Sequence, residues 1–120
     1  EFVGHYQFET ELDASGNWMV PAPPAGTYSV RVKASHWLSK VAAGVIVTSS
    51  GASGVLTSLI NGDVDNDNEV GPGDFGDLAT AFLSVDGDPN WNSEADLDGD
   101  GEVGPGDFGI LANNFQLDGE

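Results

Sequence analysis

Hydrophobic and polar positions follow two different periods in the two halves of the chain. From Phe2 to Leu12 the even positions Phe2, Tyr6, Phe8, Thr10 and Leu12 are interleaved with His5, Gln7, Glu9 and Glu11. A period of two is that of a strand with one buried face. Asp13-Ala14-Ser15-Gly16 is a turn sequence, and Asn17 to Val20 restarts a strand until Pro21, Pro23 and Pro24 end ladder pairing. Thr27 to Ala34 alternates again, with Tyr28, Val30, Val32 and Ala34 on the apolar side and Arg31 and Lys33 on the wet side. Ser35 to Lys40 has no clear period, while Val45 to Val47 and Val55 to Ile60 read as two further strands. Past residue 70 the period becomes helical. Phe75, Leu78, Ala79 and Phe82 fall at i, i+3, i+4 and i+7, and Phe108, Leu111, Ala112 and Phe115 do the same. The pattern predicts an α+β fold in two modules. Residues 1–60 form a small antiparallel β-sandwich, and residues 61–120 form a pair of units that each end in one amphipathic helix.

The second module is an internal repeat. The run from Asp63 to Phe82 recurs 33 residues later from Asp96 to Phe115, and 14 of the 20 aligned positions are identical. Counted from Asp63 or Asp96 as position 1, each copy has aspartates at positions 1, 3, 5 and 12. These are Asp63, Asp65, Asp67 and Asp74 in the first copy and Asp96, Asp98, Asp100 and Asp107 in the second. Position 7 is Glu69 or Glu102, whose backbone carbonyl is also placed to ligate. This is the EF-hand ligand rule, in which a tight loop wraps a hard cation in oxygens and a helix begun inside the loop brings in position 12. Position 6 needs a left-handed residue, supplied by Gly101 in one copy and by Asn68, the next most tolerant type, in the other. Gly71-Pro72 and Gly104-Pro105 suit a helix start, because proline at the first helical position gives up an N–H that has no partner there. Val70 and Val103 at position 8 are expected to pair with each other across the two loops. Trp91, in the connection between the copies, is expected to plug the space between the helices. Asp86 and Asp88 in the same connection read as solvated turn residues, with a weak third cation site as the alternative.

Charge sharpens this picture. The chain carries a net charge of −17, of which residues 61–120 hold −16 with no Lys or Arg. Such a segment repels nucleic acid and anionic membrane surfaces, and it stays disordered unless cations neutralise it. Two calcium ions, one per loop, would take the total to about −13, so the calcium-free module is expected to be loosened and the loaded one compact. Magnesium rarely accepts an all-protein oxygen cage. The absence of cysteine removes disulfides, thiolate catalysis and Cys-based zinc sites. No apolar run is long enough to span a bilayer. The chain begins at Glu1, which reads as a processed or excerpted mature chain. His5 and His36 have no triad or metal partners nearby in sequence, so no enzymatic activity is expected.

Two resemblances extend the reading. Asp13-x-x-Gly16-x-Trp18 followed by Pro24-Ala25-Gly26-Thr27-Tyr28-Ser29-Val30 resembles the carboxypeptidase-regulatory-like (transthyretin-like) β-sandwich repeats of secreted bacterial proteins. Those repeats usually open with one or two strands that residues 2–60 lack, which would leave an unpaired edge. The doubled loop–helix unit over residues 61–118 resembles type I dockerin modules. The dockerin resemblance implies calcium ligation by Asp63, Asp65, Asp67, Asp74 and the Glu69 carbonyl. In the second loop it implies Asp96, Asp98, Asp100, Asp107 and the Glu102 carbonyl. It also implies docking onto cohesin domains outside the cell. Dockerins usually carry hydroxyl residues at positions 10 and 11, where this chain has Pro72-Gly73 and Pro105-Gly106. The leading expectation is therefore a secreted structural subunit, stiffened by two calcium ions, that self-associates through the β-module edge into a surface polymer. The alternative is a dockerin-like anchor of a secreted enzyme that binds a cohesin-like partner.

Overall fold

The computed structural model describes residues 6–55 and 57–120. The fold is α+β, with strands β1 (Gly26–Val32), β2 (His36–Leu38), β3 (Lys40–Val47) and β4 (Ile60–Asp63) preceding helices α1 (Pro72–Ala81) and α2 (Pro105–Asn113). Among the described residues β1 pairs with β3 and β2 with β4, giving two separate two-stranded sheets where a β-sandwich was expected. Contacts group the chain into two compact units, Glu1–Ser29 with Ala43–Val55, and Val30–Ala42 with Leu56–Glu120. The segment Val30–Ala42 thus belongs with the loop–helix pair, on the far side of the boundary read at residue 60.

In the first unit the predicted turn forms but the strands flanking it do not. The Ser15 and Asn17 amides each donate to Asp13 Oδ1 at 2.9 Å, and Gly16 takes φ +80°. Thr10 Oγ1 donates to the Met19 carbonyl at 2.9 Å. Residues 6–23 nonetheless contain no strand, and the rest of the predicted first strand, residues 2–5, lies outside the described residues. The reason is burial. Alternation makes a strand only where a second surface covers its apolar side. Here Tyr6, Phe8 and Leu12 stay 41%, 43% and 65% exposed.

The second unit has the larger core. Leu38, Val64, Val70, Leu78, Ala81, Ala95, Leu97, Val103 and Leu111 form one buried cluster, with Ile60, Trp91 and Ile110 packed against it. The patternless stretch around residue 37 becomes β2 because Leu38 is fully buried in this cluster and pairs with Ile60 across an antiparallel ladder. Pro72 and Pro105 begin the helices as expected. Each helix is followed by a left-handed residue, Leu83 (φ +64°) or Gln116 (φ +70°), that turns the chain back.

The helices bury a different stripe from the one the sequence suggested. The buried residues of α1 are Asp74, Leu78 and Ala81, and those of α2 are Asp107 and Leu111. Phe75, Phe82, Phe108 and Phe115 remain 46%, 36%, 43% and 39% exposed. The position-12 aspartate must face its loop, and it sits one residue before the phenylalanine. Fixing Asp74 inward therefore turns Phe75 about 100° away. Among the described residues no helix is long and apolar enough to cross a membrane.

A pair of acidic loops as candidate metal centre

β4 delivers the first loop directly, since its last residue is Asp63. The second loop follows a 3₁₀ turn at Ser93–Ala95, capped by Asn92 accepting the Glu94 amide at 3.0 Å. The structure brings Asp63, Asp65, Asp67 and Asp74 together in one cluster and Asp96, Asp98, Asp100 and Asp107 in another. In each cluster one carboxylate oxygen per residue lies within 4.8 Å of all the others. Both loops are wound by the same hydrogen bonds. Position 1 accepts the position-6 amide: Asn68 N to Asp63 Oδ2 at 3.0 Å, and Gly101 N to Asp96 Oδ2 at 2.9 Å. Position 3 accepts the amide of position 5, and position 5 accepts that of Glu69 or Glu102. The aspartates thus use part of their hydrogen-bonding capacity to shape the loop and keep the rest facing inward.

The position-12 aspartate closes each loop. Asp74 accepts the Asp65 amide at 3.0 Å through one oxygen and the Gly71 amide at 2.6 Å through the other. Asp107 likewise accepts the Leu97 and Asp98 amides at 2.6 and 3.1 Å and the Gly104 amide at 2.7 Å. Both side chains are 1% exposed. Each aspartate therefore also satisfies an orphan N–H at the start of its helix, where a negative charge is favoured. Its short side chain is accommodated because the helix starts right against the loop.

Glycine at position 11 makes that close approach possible. A Cβ on Gly73 would lie 2.6 Å from Asp65 Oδ2, and one on Gly106 would lie 2.7 Å from Asp98 Oδ2. The Pro-Gly pair at positions 10 and 11, a departure from the dockerin pattern, thus serves the loop itself. Proline starts the helix and glycine leaves room for the position-3 carboxylate.

Crowding shows in the electrostatics. Burial, with the neighbouring Asp74 and Asp67 charges adding to it, pushes the Asp65 carboxyl up to about 6 against the lowering effect of the Asp67 amide. Asp98 is raised in the same way, by burial first and then by Asp107 and Asp100. In the first loop Asp63 is fully buried, and its Oδ1 has no hydrogen-bond partner. An all-oxygen set of four carboxylates with one buried, unpaired oxygen fits a hard divalent cation of the calcium type. The side-chain clusters comprise the four aspartates of each loop, and the residues Glu69 and Glu102, expected to ligate through their backbone carbonyls, are exposed. Asp88 is a turn residue that accepts the Val85 amide at 2.9 Å, and no third cluster occurs among the described residues.

Val70 and Val103 do not pair with each other as predicted. Val103 exchanges backbone hydrogen bonds with Leu83 and Ser84 after α1, and Val70 does so with Gln116 and Leu117 after α2. Each loop is thereby strapped to the chain leaving the other repeat's helix, which satisfies both valine amides and carbonyls and keeps the side chains in the core. Between the helices, Phe75 and Phe108 meet edge to face with centroids 5.9 Å apart. They line an open apolar groove of about 420 Å³ together with Leu78, Ala79, Phe82 and Pro105.

The sequence reading missed the contacts of the first loop with residues 33–41. Asn66 Oδ1 accepts the His36 amide at 2.8 Å and Asn68 Oδ1 accepts the Ser39 amide at 2.8 Å. Glu120 continues the same seam. Its carboxylate accepts the Val41 amide at 2.9 Å and lies 3.4 Å from Lys40, and both interactions hold it below the usual carboxylate range. The signal was present in the alignment of the repeats, where Asn66 and Asn68 stand opposite Gly99 and Gly101.

No family model and no curated protein matches the chain. Among solved structures, a chain of a type II cohesin–X-dockerin complex from Acetivibrio cellulolyticus, a C-terminal interface mutant, superposes with a TM-score of 0.71 at 24% identity. An N-terminal interface mutant of the same complex gives 0.70 at 24% identity. Each match covers 89% of this chain and 73% of that one. The fold is shared. At this identity the likeness extends to the chain path, including the segment ahead of the acidic loops.

Proposed function

We propose that this chain is a calcium-dependent protein-interaction module of the dockerin type, acting outside the cell. One calcium ion sits in each acidic loop, and the face across α1 and α2 docks a cohesin-like partner. The observation that carries this reading is the pairing of two closed four-aspartate loops with an open aromatic groove between the helices they start. A helix pair that buries its leucines and leaves Phe75, Phe82 and Phe108 outside presents the large rigid apolar side chains that anchor protein interfaces. The calcium loops contribute by fixing the two helix starts. The glutamate carbonyls would complete the cage, water would take position 9, and no reaction is assigned to the chain.

A second reading, self-association into a surface polymer, is favoured by exposed Leu12, Met19 and Ile46, which are 65%, 86% and 66% exposed. Light scattering coupled to size exclusion separates the two, in millimolar calcium and in chelator, with and without a purified type II cohesin domain. The dockerin-type reading expects a one-to-one complex in calcium that is lost in chelator, and Phe75→Ala with Phe108→Ala should weaken it more than tenfold. Large assemblies of the chain alone would favour the polymer. A monomer in calcium that ignores the cohesin domain would overturn the partner assignment.

A further inference from the structure

The two loops hold the same four aspartates, yet among the described residues only the first is touched by a basic side chain. Lys33 Nζ lies 3.2 Å from Asp63 Oδ2 and 3.2 Å from Asn66 Oδ1, and donates to the Ala34 carbonyl at 2.7 Å. Its side chain is 26% exposed, while that of Asp63 is fully buried. The other two basic residues, Arg31 and Lys40, are both engaged with Glu120. Asp63 Oδ2 is thus taken by Lys33 and the Asn68 amide, which leaves the unpaired Oδ1 for a cation. In the second loop Asp96 is only half-buried, and both of its oxygens accept backbone amides from Gly99, Asp100 and Gly101.

We propose that Lys33 is a built-in counter-cation for the first loop, so that two loops with one ligand set fill in order, the second before the first. The inference rests on calcium binding at both loops. Without metal, four carboxylates repel one another, and an ammonium held against one of them offsets part of that repulsion. The first loop is therefore kept wound by Lys33 before any metal arrives. When a divalent ion enters, it shares the Asp63 carboxylate with a positive charge close by and gains less than it would alone. The second loop has no such cation, so it is looser without metal and gains more on binding. Lys33 acts here as a positioning residue, through Asp63.

The test is a calcium titration followed by backbone amide NMR, with the Asn68 and Gly101 amides reporting on the two loops separately. In the wild-type protein Gly101 should reach its midpoint at about tenfold lower calcium than Asn68. Lys33→Met keeps the aliphatic stem and removes the charge. It should lower the Asn68 midpoint about tenfold, leave the Gly101 midpoint in place, and speed amide exchange at Asn68 in chelator. Lys33→Arg should restore the wild-type order. Coincident wild-type midpoints, or an Asn68 midpoint unchanged or raised in Lys33→Met, would overturn the proposal. If Lys33→Met does not fold without metal, amide exchange in the chelated wild-type protein decides: slower exchange at Asn68 than at Gly101 supports the proposal, and equal rates overturn it. Failure of either loop of the wild-type protein to bind calcium would instead overturn the functional reading beneath it.

Discussion

The first acidic loop carries Asn66 and Asn68 where the second carries Gly99 and Gly101, and this pair of substitutions tracks a difference in surroundings. All four residues take positive φ, at +61° and +70° in the first loop and +75° and +86° in the second. Glycine reaches that region without cost, and asparagine is the side chain that tolerates it best. In the second loop, which faces water at these positions, glycine suffices. In the first, the asparagine side chains return something for their strain. Their oxygens accept the His36 and Ser39 amides, which would otherwise face the loop without partners. Two sequences that diverge at the same backbone conformation are thus read as one loop left free and one loop docked. The comparison also separates the clustered aspartates, which the repeats share, from the residues that dock the first loop, which they do not.

The largest test of the comparison is metal removal. Ligand binding to the folded state alone stabilises by about 4 kcal/mol per site when calcium is a thousand times the dissociation constant. Chelation should therefore lower the unfolding temperature of the Leu56–Glu120 part sharply. Hydrogen exchange should rise more at Asp96–Asp107 than at Asp63–Asp74, because the first loop keeps its contacts with residues 33–41. Equal exchange in both loops would break the asymmetry.

The next effect treats the loops alike. Gly73→Ala and Gly106→Ala each drive a methyl against a position-3 carboxylate, at a cost of about 1–3 kcal/mol for overpacking. Calorimetry should show one calcium site weakened per substitution, the first by Gly73→Ala and the second by Gly106→Ala, with the partner loop unaffected. A substitution without effect on either site would mean that the position-3 carboxylate does not sit under the helix start.

Making the first loop resemble the second is a smaller change. Asn66→Gly with Asn68→Gly removes the acceptors of the exposed His36 amide, which turns to water, and of the partly buried Ser39 amide, whose loss costs about 1–3 kcal/mol. Urea unfolding in calcium should show the loss, while Gly99→Asn with Gly101→Asn, at exposed positions, should change stability by well under 1 kcal/mol. Equal losses in the two double variants would dissolve the distinction between a docked and a free loop.

The smallest effect is on pH dependence. Asp65 in the calcium-free protein is raised to about 6 and Asp98 is raised as well. A carboxyl raised on folding favours the folded state while protonated. Its contribution is complete below the ordinary carboxylate range and is lost as pH rises through the folded value. Calcium-free protein should therefore resist urea better near pH 5 than at pH 7. Calcium-loaded protein should show the opposite order, since protons compete for the ligands.

The reading of the chain succeeded where information is local. Twelve consecutive residues contain nearly everything a calcium-type loop needs, and Asp63 to Asp74 and Asp96 to Asp107 come together as clusters because their spacing leaves little else to the backbone. Trp91 packs against the core cluster. It failed where a pattern needs a partner. Residues 6–12 alternate well but form no strand, because no second surface buries the apolar side of Tyr6, Phe8 and Leu12. His36–Leu38 has no pattern and forms one, because β4 and the core are beside it.

What the amino-acid order settles alone is which aspartates cluster in each loop, the helix starts at Pro72 and Pro105, and the left-handed residues that let each loop close. All are decided within about four residues in sequence, where backbone sterics and a few hydrogen bonds dominate. Tertiary structure alone decides which face of α1 is buried, that each position-8 valine pairs beyond the other repeat's helix, and that Lys33 reaches Asp63 across 30 residues. Those outcomes depend on which surfaces meet, and burial and charge pairing act on that arrangement rather than on neighbours along the chain.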